Sequence, residues 1–147
     1  MVEIKTFTNA DAALYNLALE IRQRVFVDEQ QVPPGLEVEN EETSTFYLLF
    51  QDGLPVATGR WRETGKGIKL ERFAVLPEYR NKNLGTALLE KVLADLADSG
   101  KTIYLHAQLR AVPFYKREGF VSVGDMFEEA GIQHFTMIRI TDKVKLI

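Results

Sequence analysis

Leu70-Glu71-Arg72-Phe73-Ala74-Val75-Leu76-Pro77-Glu78-Tyr79-Arg80-Asn81-Lys82-Asn83-Leu84-Gly85-Thr86 is the stretch on which the fold turns. Its first half belongs to a strand predicted over residues 68–76, which Pro77 ends because a proline has no N–H to give to a ladder. Its second half is a short, basic, polar connection that leads into a helix. Leu84, Leu88, Leu89, Val92, Leu93 and Leu96 recur every three or four residues, which makes that helix amphipathic, and Ser99-Gly100 closes it with a residue suited to a left-handed cap. A strand that feeds a helix in this way sets the unpaired N–H groups of the first turn, and the positive end of the helix dipole, beside Arg80 and Lys82. Such a place suits a phosphate, and Gly85, with no Cβ, lets a ligand come close to the backbone.

Upstream, the pattern predicts strands over residues 45–51 and 54–63, joined by a turn at Asp52-Gly53. The turn Thr64-Gly65-Lys66-Gly67 leads on to the strand at 68, which gives a three-stranded antiparallel meander. Residues 1–7 alternate apolar and polar as a strand does. Thr8-Asn9-Ala10-Asp11 has the form of a capping box, and Leu14, Leu17, Ile21 and Val25 mark one stripe of a helix running to about Phe26, with Glu20, Arg22 and Arg24 pointing elsewhere. Val32-Pro33-Pro34-Gly35 interrupts regular structure. The acidic run from Glu37 to Glu42 reads as a solvated loop, or as a lure for a cationic amine at low salt. Downstream, a strand is expected over 102–106, a short helix over 113–117, and closing strands over 120–123 and 133–140. The architecture is mixed α/β.

The 147 residues, 46% hydrophobic and 27% charged, fit one domain spanning 1–147 that buries roughly 70% of its unfolded surface. With no cysteine there is no disulfide scaffold, thiolate metal site or cysteine nucleophile. A net charge of −3 supplies no global field for nucleic acid or anionic lipid. The first residues lack the apolar core of a secretory signal, and the longest apolar run is far below the ~20 residues that span a bilayer, so a cytoplasmic protein is expected. His106 and His134 are the only histidines, too distant in sequence to signal zinc, and no metal is expected.

Arg80-Asn81-Lys82-Asn83-Leu84-Gly85 resembles the Arg/Gln-x-x-Gly-x-Gly/Ala signature of GNAT-type N-acetyltransferases. Phe73-Ala74-Val75-Leu76-Pro77 and Phe114-Tyr115-Lys116-Arg117-Glu118-Gly119-Phe120 are similar to the motifs that flank it. Arg22-Gln23-Arg24-Val25-Phe26-Val27-Asp28-Glu29-Gln30 and Gly131-Ile132-Gln133-His134 are similar to the ElaA-like branch. The resemblance implies the GNAT fold, a central, mostly antiparallel, splayed sheet of six to seven strands flanked by helices, and acetyl-CoA as cofactor. It also implies direct attack by a primary amine in a ternary complex. The main chain of Phe73, Ala74 and Val75 would pair with the pantetheine amides, and Arg80, Asn81, Lys82, Asn83, Leu84, Gly85 and Thr86 would hold the pyrophosphate. Tyr115 falls where the family has its tyrosine acid. Asn83 departs from the pattern by replacing the first signature glycine, yet asparagine enters positive φ more readily than most residues.

For the base that takes a proton from the amine, Glu71 is the first candidate. Alternation along the strand puts Glu71, Phe73 and Val75 on one face and Arg72 on the other. A buried glutamate needs a partner, so a salt bridge to a distant residue is the competing reading. His106 and His134, each in a predicted strand, are candidates for the acceptor side, where a neutral imidazole relays protons near physiological pH. In the family fold the segment carrying Arg22, Arg24, Glu29 and Gln30 borders the acceptor site; Arg24 is the substrate-side candidate, against a default of a solvated charged face. A non-catalytic acyl-CoA sensor is the rival function, and a module gripping another diphosphate is a more distant one. The acceptor, a small molecule or a protein amine, and the choice between monomer and homodimer are left open.

Overall fold

The computed structural model describes residues 1–140. The chain runs β1 (Val2–Phe7), α1 (Ala12–Arg22), a π-helical segment (Gln23–Glu29), α2 (Pro34–Glu37), β2 (Thr45–Gln51), β3 (Leu54–Thr64), β4 (Gly67–Val75), α3 (Leu84–Asp95), β5 (Ile103–Gln108), α4 (Val112–Arg117), β6 (Phe120–Glu129) and β7 (Ile132–Arg139). The strands form one seven-stranded mixed sheet in the order β1-β2-β3-β4-β5-β7-β6. β4 and β5 are parallel, as a strand pair joined through a helix must be when the connection crosses over. The pairs β1/β2, β2/β3, β5/β7 and β6/β7 are antiparallel. No helix among the described residues is long and apolar enough to cross a membrane.

Contacts divide the chain into two compact units, residues 1–62 with 71–100, and residues 63–70 with those from 101 onward. The core of the first unit grows around β2, where Phe46, Tyr47, Leu48 and Leu49 are all buried in succession, the signature of a strand covered on both faces. α1 contributes Ala18 and Ile21, and α3 contributes Leu88, Leu89 and Val92. The indole N–H of Trp61 donates to the Tyr47 hydroxyl at 3.1 Å, and that hydroxyl donates to Asp95 at 2.9 Å, tying β3 and β2 to the end of α3.

Three local expectations change in this unit. The cap of α1 is Asp11, whose carboxylate accepts from the Leu14 N–H at 3.2 Å; Thr8 instead turns the chain before it by accepting from Ala10. The helix also continues past Phe26 to Glu29, but with a widened π-helical turn that lets Val25 and Phe26, adjacent in sequence, both enter the core. Pro34 opens a single helical turn, as proline does at a first helical position, within the segment expected to be irregular.

In the second unit, Ile68, Lys69 and Leu70 at the start of β4 pair with Ile103, Tyr104 and Leu105. Ile103, Leu105 and Ala107 are buried with Val112, Tyr115, Phe120 and Met137. β6 is longer than the 120–123 expected, because a register shift between Val123 and Phe127 carries it across Gly124 to Glu129. Ala130 and Gly131 then form a two-residue turn with φ of +52° and +77°, the geometry that matches the twist of a hairpin.

Candidate functional site

The connection after β4 takes its shape from two asparagines. Asn81 and Asn83 both sit in the left-handed region, at φ +63° and +61°, so the residue that departs from the glycine signature keeps the conformation a glycine would supply. Asn83 is the cap of α3 but makes no side-chain capping bond, and the first turn of α3 holds no acidic residue. Leu84 is buried and anchors the helix start. Polar N–H groups at a helix start with neither a side-chain cap nor a carboxylate in its first turn are a site for an anion. Lys82 is exposed beside them, its Nζ 5.3 Å from the centroid of the Tyr79 ring.

Arg80 plays a different part from the one its motif position suggests. Its two terminal nitrogens donate to both oxygens of Glu29 at 2.7 Å, and its Nε donates to the Val75 carbonyl at 2.9 Å. The hydrogen bonds it donates to Glu29 outweigh partial burial and raise the guanidinium pKa further. Arg80 therefore braces the loop against the last residue of β4 and the end of the π-helical segment. Arg24 likewise grips Glu78 through two bonds, at 2.9 and 3.0 Å, so the candidate for the acceptor side sits in an ion pair on that same segment. Phe73 lies across Gly59, where an added Cβ would come within 2.8 Å of the ring.

Glu71 requires a correction. Its Oε1 accepts from Arg60 at 3.0 Å and from Arg62 at 2.8 Å, and its Oε2 accepts from Arg62 at 3.2 Å. A carboxylate forked between two guanidiniums is satisfied as an anion, and its lone pairs are not offered to a substrate proton. Nor is the alternation used to place it regular, since Arg72 has φ +57° and breaks the strand period between Glu71 and Phe73.

The same network overturns the reading of two other residues. Glu41, from the acidic run taken as solvated, is buried and accepts from Arg22 at 2.7 and 3.2 Å, from Arg60, and from the Tyr15 hydroxyl at 2.8 Å. Arg22, expected on the solvated face, is 1% exposed, and Arg60 is 0% exposed. Burial alone would raise the Glu41 pKa, but the hydrogen bond and charge of Arg22, helped by Tyr15 and Arg60, hold it at about 2. Burial and Glu41 together push the Tyr15 hydroxyl up to about 12. One sequence signal points to this network: Arg60 lies in a predicted strand between the apolar residues Val56-Ala57 and Trp61, and an arginine that such a strand carries out of water demands carboxylates.

In the second unit, Tyr115 is buried between the rings of Phe114 and Phe120, with centroids 5.0 and 5.7 Å away. Burial drives its phenol pKa well up, so the group keeps its proton at neutral pH. His106 and His134, separated in sequence, are brought to one carboxylate: His106 Nδ1 lies 3.3 Å from one oxygen of Glu129, and His134 Nε2 lies 3.7 Å from the other. Glu129 carried no motif and was missed. Among the described residues no group of three or more His, Cys, Asp or Glu is placed to hold a metal ion.

A strand, an anion-receptive loop and a helix, within a seven-stranded mixed sheet, define the fold of the GNAT acetyltransferases. The chain belongs to this family: residues 6–140 match the acetyltransferase (GNAT) domain. It is 37% identical over 125 residues to an uncharacterized N-acetyltransferase, YjcF, of Bacillus subtilis, covering 83% of this chain and 89% of that one. Among solved structures it is similar to Escherichia coli ElaA, at 25% identity and a TM-score of 0.80, over 95% of this chain and all of the other. It is also similar to an acyl-CoA N-acyltransferase from Pseudomonas aeruginosa, at 26% identity and a TM-score of 0.78, over the same shares.

Proposed function

We propose that the protein transfers an acetyl group from acetyl-CoA to a primary amine of a small molecule or protein, in a ternary complex. The observation that carries this reading is the turn made by left-handed Asn81 and Asn83 onto a helix start that no side chain caps and no carboxylate occupies. Its N–H groups and Lys82 suit the diphosphate of coenzyme A, while Arg80 holds the loop in shape through Glu29 and Val75. Coenzyme A supplies the acyl group as a thioester, which an amine attacks without a covalent enzyme intermediate. Phe73, Ala74 and Val75 bind the pantetheine through main-chain groups, as an added strand would. The protonated phenol of Tyr115 gives its proton to the departing sulfur. Orienting the two reactants contributes most of the rate. The similarity to an acyl-CoA N-acyltransferase supports the cofactor class.

The test is release of free thiol from acetyl-CoA across a panel of polyamines, amino sugars, aminoacyl compounds and peptide N-termini. Amine-dependent thiol release is expected. Tight binding of coenzyme A with no release for any amine would convert the protein into an acyl-CoA sensor.

A further inference from the structure

With Glu71 accounted for by Arg60 and Arg62, the proton of the incoming amine needs another acceptor. His106, the residue that follows the paired stretch 103–105 of β5, is a candidate. The Ala130-Gly131 turn sets Glu129 opposite Ile132 and Phe127 opposite His134. The β5/β7 register sets His134 opposite Gln108, two residues from His106. A period of two then places Phe127, Glu129, His134 and His106 on one face of the sheet. The Phe127 ring stands edge-on to His106 at 5.0 Å and stacks on His134 at 5.8 Å, which limits how either imidazole can turn.

The hydrogen bonds decide which ring nitrogens carry protons. His134 Nδ1 lies 2.7 Å from the Ile132 carbonyl, which only accepts, so Nδ1 holds the hydrogen and Nε2 faces Glu129. His106 Nδ1 faces a carboxylate oxygen of Glu129, so it too holds the hydrogen and Nε2 is left with the lone pair. Tyr104 on β5 and Glu129 on β6 face His106, while Lys69 on β4 and His134 on β7 act by their charge on that same Glu129. The bond from His106 outweighs partial burial and, with the charge of Lys69, lowers the Glu129 pKa, so it remains a carboxylate. His106 keeps part of its surface open, as a group that exchanges protons with a ligand requires.

We propose that His106 Nε2 is the base that takes the amine proton, and that Glu129 is the positioning residue that fixes its tautomer. This rests on the acetyl-transfer reading. The ammonium N–H bond breaks, its electron pair stays on nitrogen, and the proton bonds to His106 Nε2. The nitrogen then bonds to the acyl carbon as the carbon–sulfur bond breaks, and sulfur takes the electron pair and a proton from Tyr115. The second proton of the nitrogen replaces the one Tyr115 gave, and His106 returns its own to water.

The experiment combines nitrogen-15 spectroscopy of the imidazoles with thiol-release kinetics on the full chain and on His106→Gln, Glu129→Ala and Glu129→Gln. In the unaltered protein His106 is expected as the Nδ1–H tautomer. Glu129→Ala loses that preference, whereas Glu129→Gln, whose amide oxygen still accepts, retains it. His106→Gln lowers kcat by about 10²-fold or more, and Glu129→Ala by about tenfold or more, with KM for acetyl-CoA within about threefold. Activity in Glu129→Gln falls between those of Glu129→Ala and the unaltered protein. An Nε2–H tautomer at His106, or a kcat of His106→Gln within about threefold of normal, overturns the proposal. If the unaltered protein releases no thiol with any amine, the acetyl-transfer reading fails and the base assignment falls with it. The tautomer measurement then still judges the role of Glu129.

Discussion

In the proposed reaction two residues, Tyr115 and Asn83, depend most directly on their surroundings. Tyr115 sits among aromatic rings that exclude water, and burial keeps its phenol protonated far above neutral pH. Replacing it by phenylalanine keeps the packing and removes only the donor. Tyr115→Phe is expected to lower kcat by roughly 10²–10⁴, the range for a positioned acid, with thermal stability nearly unchanged; a saturating-substrate assay decides it. Asn83 bears a left-handed conformation that costs an L-residue energy. Asn83→Gly removes that cost and the side chain beside the helix start, so calorimetric titration should find acetyl-CoA bound as tightly or more tightly. The motif alone made the backbone of Asn83 readable. For Glu71 the sequence showed only that a partner was needed, because its partners lie on a neighbouring strand at positions no local rule connects.

At the scale of elements, the meander, the start of α3 and the strand-to-helix connection follow their hydrophobic periods, since each is specified by residues near in sequence, whereas α3 ends at Asp95, short of the Ser99-Gly100 expected to close it. The π-helical segment did not, because its widened turn answers to the packing of Val25 and Phe26 rather than to a propensity. The β6/β7 hairpin is the element that aligns Glu129 and Phe127 with His134, and its turn holds Ala130 at φ +52°. Ala130→Asn relieves that strain, since Asn-Gly is favoured in such turns. A gain of about 0.5–1 kcal/mol is expected in urea unfolding, part of the roughly 1–2 kcal/mol that a left-handed conformation costs a residue with a Cβ. His106 and His134 should keep their tautomers in that variant, because the register does not change.

At the scale of the molecule, the buried carboxylate of Glu41, paired with Arg22 and Arg60, makes stability respond to pH. The Glu41 pKa is about 2 when folded, against 4.5 for an ordinary glutamate carboxyl. The unfolded chain therefore binds the proton more tightly. The stability from Glu41 is fully present above about 4.5 and is lost as pH falls toward and through 2. Urea midpoints followed through Trp61, the single tryptophan, should fall across that window. Glu41→Ala leaves Arg22 and Arg60 buried without this carboxylate and is expected to cost about 3–5 kcal/mol, with a much flatter acid profile. A midpoint unchanged between pH 5 and 2.5 would remove Glu41 from this role.

Strand and helix order, the loop before α3 and the family were determined by sequence alone, because hydrophobic period, turn chemistry and the phosphate-loop signature are local. Tertiary structure alone decided that Glu41 is buried, that Glu71 is held by two arginines, that Arg80 braces the loop and that Glu129 joins two histidines. These are encounters between charges distant along the chain, and the energetic need to pair a charge leaving water names no particular partner until the strands are in register.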